Sequence, residues 1–182
     1  MNPLVEQVSK YRLAGEPCPR DLEILITGCG ALLQELGIEI NGDESWAPWA
    51  DKSYLSESDF RDPDIVANVK AIDDTFRFIR FVARADDSEC IGYWCGPEGR
   101  PVAESPLVYY DTEGQFRLCG GRFVEAIFFI SYDEESLSRL RMICASLGVQ
   151  LDFKTIDDIV IPATNVTPDK FHLERYAAHK GA

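Results

Sequence analysis

CIGYWCGPEGRPVAESPLVYYDTEGQFRLCGG, residues 90–121, is the stretch on which the fold turns. It reads as three strands, 90–95, 106–110 and 115–119, punctuated by Gly96-Pro97-Glu98-Gly99 and Asp111-Thr112-Glu113-Gly114. Short strands with turn signals between them at this spacing predict an antiparallel meander. In the second turn, the Asp111 side chain can accept from the backbone ahead of it, and Gly114 can take positive φ. If Cys90 and Cys95 bracket a strand, their side chains face opposite sides of the sheet.

Outward from this stretch, the pattern alternates between strand and helix. Upstream, Phe76, Phe78, Phe81 and Val82 predict a further strand, followed by a turn at Ala85-Asp86-Asp87-Ser88. Before it, residues 62–76 predict a helix capped by Asp62 or Asp64. Downstream, Gly120-Gly121 breaks the chain, and Phe123, Ala126, Ile127 and Ile130 recur at helical spacing. Residues 134–147 predict an amphipathic helix with a stripe of Leu137, Leu140, Ile143, Cys144 and Leu147, capped by Asp133 and closed by Gly148. A short apolar segment follows at 158–161, then a polar helix or frayed tail at 168–182. At the other end, Pro3 and Gly15 bound a helix over 3–14. Leu22, Leu25, Ile26, Cys29, Leu32, Leu33 and Leu36 predict a second over 20–36. Gly28 and Gly30 inside it imply close packing or a break. A phosphate loop is not implied, since no strand precedes them and no Lys-Ser/Thr follows.

The sum is an α+β fold: a curved antiparallel sheet of about four to six strands flanked by helices. The 182 residues fit one domain over 1–182, with a core at about 20–147, an N-terminal helix and a C-terminal extension.

Charge narrows the partner classes. The chain carries 31 acids against 18 Lys and Arg, a net charge of −13. Residues 41–90 hold 12 acids and 6 bases, and the tail beyond 165 is slightly basic. Such a balance disfavours nucleic acid and anionic membranes; it serves solubility, or it speeds capture of a basic protein partner. The start MNPLVEQVSKYRLAG has no basic and apolar leader pattern, and no apolar run approaches the ~20 residues that cross a bilayer. A cytoplasmic setting with six reduced cysteines is therefore expected.

Catalytic patterns are sparse. Cys90 and Cys95 form the closest cysteine pair, and zinc needs about four converging ligands. His172 and His179 lie in the polar tail and read as part of a solvated terminus. Asp73-Asp74, Asp86-Asp87-Glu89, Asp133-Glu134-Glu135 and Asp157-Asp158 match no calcium loop and read as solvated faces. No cofactor, metal or catalytic residue is expected. The loop over 43–64 carries Trp46, Trp49, Tyr54 and Phe60 among acids and prolines. These aromatics can pin the loop to the core, or they can form part of an exposed interface, where Trp and Tyr are enriched. Candidate contacts are Trp46, Trp49, Asp51, Asp59, Asp86, Asp87 and Glu89.

Ile91-Gly92-Tyr93-Trp94, the run from Pro106 to Phe116, and Phe123-Val124-Glu125-Ala126-Ile127 together resemble the SUKH superfamily. The upstream helical pair and Asn41-Gly42 also fit, so the resemblance covers about residues 20–147. It implies an α+β fold without catalytic residues to carry over. It also implies a binding role, often as an immunity protein that blocks a bacterial contact-delivered toxin such as a nuclease. Other members are cellular regulators or scaffolds. The long aromatic loop at 43–64 and the stretch beyond 150 depart from the pattern and leave the partner open. A small-ligand binder or enzyme would need acids converging in a pocket near Asp111 and Glu113.

Overall fold

The two strand pairs around Gly92 and Asp111 form the middle of the sheet. In the computed structural model, which describes residues 2–85, 89–131 and 134–181, five strands are present among the described residues: β1 (Glu39–Ile40), β2 (Ile79–Arg84), β3 (Cys90–Trp94), β4 (Leu107–Tyr110) and β5 (Phe116–Gly120). They lie side by side in chain order, each antiparallel to the next, in an open sheet. The α+β expectation holds.

Every residue of β3 is buried, because helices cover both faces of the sheet. Ile91 and Tyr93 point into one core, and Cys90 and Trp94 into the other. Cys90 and Cys95 do lie on opposite sides. Gly92 is required by close approach. A Cβ there would stand 2.7 Å from the Arg80 carbonyl and 2.8 Å from the Phe81 Cα on β2. Beyond this point β2 carries one extra residue, Val82, and the pairing moves from Phe81↔Gly92 to Ala83↔Ile91. Val82 and Ala83 both join the first core as a result.

The first face is covered by α1 (Pro3–Gln7, continuing as one wide turn Val8–Arg12), α2 (Arg20–Gly28), α3 (Gly30–Glu35), α5 (Phe123–Ile130) and α6 (Glu134–Ser146). The helix expected over 20–36 breaks at Cys29, and a Cβ on Gly28 would lie 2.9 Å from Cδ1 of Leu147, the residue after α6. Both the break and the close packing are therefore real. The α5 N-terminus is met by two carboxylates. Asp21 accepts from the Phe123 N–H at 2.5 Å, and Glu125 accepts from Gly121 and Arg122 N–H at 2.8 and 3.0 Å. Asp133, the cap expected for α6, lies outside the described residues, as do Asp86, Asp87 and Ser88 of the β2–β3 turn.

The second face is covered by α4 (Pro63–Phe76), α7 (Pro168–Lys180) and the 46–49 loop. Asp62 caps α4 by accepting from Asp64 and Ile65 N–H. Phe76 ends α4 instead of opening a strand, and β2 begins three residues later. The Phe76 ring meets Phe81, Tyr110 and Phe116 edge-on at 4.9–5.9 Å, so burial against the sheet recruits it to the helix end. The expected apolar segment at 158–161 is a loop, with Val160 81% exposed.

Of the two readings of the C-terminal stretch the polar helix holds, as α7, and what departs from expectation is its docking. The helix is neither frayed nor solvated but packs along α4. Asp74 of α4 accepts from Arg175 Nε at 2.8 Å and from His179 Nε2 at 2.9 Å, and His172 Nε2 meets Asn68 Oδ1 at 3.0 Å. Lys180 pairs with Asp64 at 2.9 Å. Phe171 stands edge-on to Phe78 at 5.2 Å, and the Trp94 indole N–H donates to the Val166 carbonyl. Asp73 and Asp74 are therefore tie points and not a solvated face: Asp73 pairs with Lys52 at 2.5 Å, and the Asp74 side chain is 15% exposed. Burial opposes ionisation of Asp74, but the His179 and Arg175 hydrogen bonds outweigh it and hold the carboxyl below its usual range.

Candidate protein-binding surface

A meander brings alternate turns to the same end of the sheet. The β4–β5 turn at 111–115, Glu89 at the start of β3, and Glu39 and Arg84 at the paired ends of β1 and β2 share that end. Two grooves open there, one on each side of the β4–β5 turn.

The turn itself is rigid. Asp111 accepts from Glu113 and Gln115 N–H at 3.0 and 2.8 Å, and Gly114 takes φ 78°. Arg117 stands 3.7 Å from the other Asp111 oxygen. Glu113 is exposed and accepts from the Gln115 side chain at 2.9 Å. Each carboxylate is engaged by the hairpin's own groups, and the two form no paired acid and base.

On the second-face side, the loop at 48–55 and α4 form the far wall of a groove of about 580 Å³. Trp49, Leu55, Ile65, Ile72 and Tyr110 give it an apolar floor, and Asp51, Asp111 and Glu113 stand on its rim. Tyr54 lines it while remaining 69% exposed. On the first-face side, a groove of about 710 Å³ is lined by Leu36, Tyr109, Phe129 and Ile156, with Glu35, Glu89 and Glu113.

The residues expected as contacts divide between anchoring and display. Trp46 and Trp49 are anchors. The Trp49 ring stacks on Phe81 at 4.5 Å, and Trp46 stands edge-on to Trp49 at 5.2 Å. The nearly buried Arg12 donates to the carbonyls of Trp46 and Glu44 at 2.6 and 2.8 Å, with its guanidinium 5.8 Å from the Trp46 ring. The loop's backbone acceptors are thereby satisfied from beneath. Gly42 lets this loop approach α1, since a Cβ there would lie 2.6 Å from Gln7 Cβ.

Asp51 is an exposed turn former and Asp59 a half-buried one. The backbone N–H of Ser53 and of Ser56, respectively, holds each carboxyl below its usual range. Asp51 borders the second-face groove and Glu89 the first-face groove, whereas Asp59 lines neither. Asp86 and Asp87 lie outside the described residues. Tyr54 belongs to the aromatic loop whose interface reading the sequence offers, whereas Tyr110 and α4's Ile65 and Ile72 were passed over as a site. Their shared wall joins elements spread from Tyr54 to Tyr110, and no local pattern announces it.

The thiols are not poised for chemistry. None of the six is in a disulfide, and burial pushes Cys18 and Cys90 up to about 12 and Cys144 up to about 11. Among the described residues, no three His, Cys, Asp or Glu side chains are grouped to hold a metal ion, and no helix is long and apolar enough to cross a membrane. No family model, curated protein or solved structure matches the chain.

Proposed function

We propose that this chain is a non-catalytic protein-binding domain that takes a basic partner at the β4–β5 end of its sheet. Following its resemblance to the SUKH superfamily, it is an immunity protein that binds and neutralises a bacterial toxin domain. The observation that carries the reading is the rigid turn standing between two apolar-floored grooves with acidic rims. Apolar floors supply area to bury, and unlike charge steers encounter and fixes register. The buried, protonated thiols and the structural use of Asp111 fit a surface made for contact more than for turnover.

The test is capture of partners from native cells by the tagged chain at low and moderate salt. Wild type is compared with Asp51→Lys/Glu113→Lys. A single stoichiometric basic protein, recovered best at low salt and lost with the double variant, supports the reading. Equal recovery by both forms contradicts the site. Recovery of housekeeping proteins alone favours the alternative of a cytoplasmic regulatory or scaffold module.

A further inference from the structure

We propose that the groove between the 48–55 loop and the β4–β5 turn receives an arginine side chain of the protein partner. This deepens the binding role proposed above and rests on it. Shape gives the first reason. The groove's inner wall is fixed: Tyr110 is held edge-on by Phe76 at 4.9 Å and tilted against Phe116 at 4.9 Å. Its hydroxyl stands 3.8 Å from where a Cβ on Gly114 would lie, and Ile72 Cδ1 stands 3.5 Å from the same point. A side chain at Gly114 would therefore narrow the groove. The outer wall is Tyr54, exposed enough to close over an incoming group.

Charge gives the second reason. Asp51, Asp111 and Glu113 rim the groove. The nearby cations are already committed, Arg84 to Glu39 at 2.8 Å, Lys52 to Asp73 at 2.5 Å and Arg117 to Asp111 at 3.7 Å, so among the described residues Asp51 and Glu113 are the rim carboxylates without a cation of the chain's own. An anion is repelled, and a purely apolar segment would strip water from the carboxylates without replacing it. A cation on an apolar stem satisfies both floor and rim.

The third reason selects arginine over lysine. A guanidinium is flat, stacks on rings, and offers forked donors to carboxylates, whereas an ammonium is a strongly hydrated point charge. The chain places lysine as well as arginine over rings, Lys10 over Tyr11 at 4.6 Å and Lys180 over Tyr176 at 5.7 Å, but among the described residues the cation held between two rings is an arginine. Arg141 lies between Phe128 and Phe153, 5.0 and 4.9 Å from their ring centres, while donating to the Phe153 carbonyl at 2.8 Å. Arg12 lies over Trp46 in the same way.

The test is a titration of the full ¹⁵N-labelled chain with acetyl-Gly-Arg-Gly-amide, followed by amide shifts. Lysine and citrulline analogues are run alongside. Expected are saturable shifts concentrated at 49–55 and 110–114, affinity for the lysine analogue lower by about two- to five-fold, and no focused shifts with citrulline. Tyr54→Ala weakens the arginine titration. Asp51→Lys abolishes it, while Glu104→Lys, an equal charge change in the turn between β3 and β4, leaves it in place. Shifts scattered over the whole acidic surface, equal response to lysine, or equal loss with Glu104→Lys overturn the proposal. If they do so while the Asp51→Lys/Glu113→Lys variant still loses its cellular partner, the binding end stands and only the arginine assignment falls.

Discussion

The first face of the sheet is sealed by aliphatic side chains of five helices, among them Leu22, Leu25, Leu32, Ile127 and Leu140. The second is sealed by rings, Trp46, Trp49, Phe76, Phe78 and Phe171, and fastened by ion pairs through Asp74 and Asp64. Aliphatic burial is indifferent to pH and salt, whereas ion pairs and a half-buried imidazole are not. The first layer is accordingly the stable scaffold. The second is the layer whose attachment depends on conditions, and it is the one that builds a wall of the acidic groove.

The largest effect sharpens this contrast. Phe123→Ala removes a fully buried ring where α5 meets α2, and a loss of about 3–5 kcal/mol is expected. Denaturant unfolding should remain a single transition, with both faces lost together. A Phe123→Ala chain that lost protection in α2 and α5 while α7 stayed docked on α4 would reverse the roles assigned to the two layers. Asp74→Ala is next. It leaves Arg175 and His179 without their shared acceptor and is expected to cost about 2 kcal/mol. Hydrogen exchange should rise along α7 and leave α2 and α5 unchanged. Uniform exchange would make α7 part of the first layer's cooperative unit.

Trp49→Ala and Tyr54→Ala divide anchor from display. Trp49 stacks on Phe81 and its loss should lower stability by about 1–3 kcal/mol, whereas Tyr54 is exposed and its loss should stay within about 0.5 kcal/mol. Comparable destabilisation by both would place Tyr54 among the anchors.

The smallest effect is titration. Burial beside Phe116 lowers the His172 pKa below its ordinary 6.5. A depressed histidine gives stability that is present above the unfolded pKa and lost as pH falls through 6.5 toward the folded value. Asp74, also depressed, begins to give way only below 3.8. The protection of the α7 amides, taken relative to their intrinsic exchange rates, should therefore be lower at mildly acidic pH than at neutral pH, and His172→Gln should flatten that dependence. Tighter α7 docking at acidic pH would contradict the sign.

What could be read from the sequence follows the same division. Turn signals at Gly96–Gly99 and Asp111–Gly114, and stripes such as Leu22, Leu25 and Leu33, are local, and the meander and the first layer follow from them. The tail was opaque because α7 has little apolar stripe of its own. Its Arg175 and His179 find Asp74 101 and 105 residues away. Phe76 was misplaced because an aromatic run suits a strand and a helix end equally. At the site, Asp51, Glu89 and the Asp111 turn were visible as polar signals. The grooves between them were not, since each needs walls from distant elements. The tryptophans read two ways from the sequence, as loop anchors or as interface, and the anchor reading holds: Arg12 and Phe81 keep them inward.

Hydrogen exchange of the chain, alone and in complex with the basic protein it captures, tests the central claim most directly. Protection should appear at 48–55 and 110–114, with the 97–105 connection at the opposite end of the sheet unchanged. Protection at 97–105 or along the outer side of α7, with none at the β4–β5 turn, would place the partner elsewhere and contradict the account.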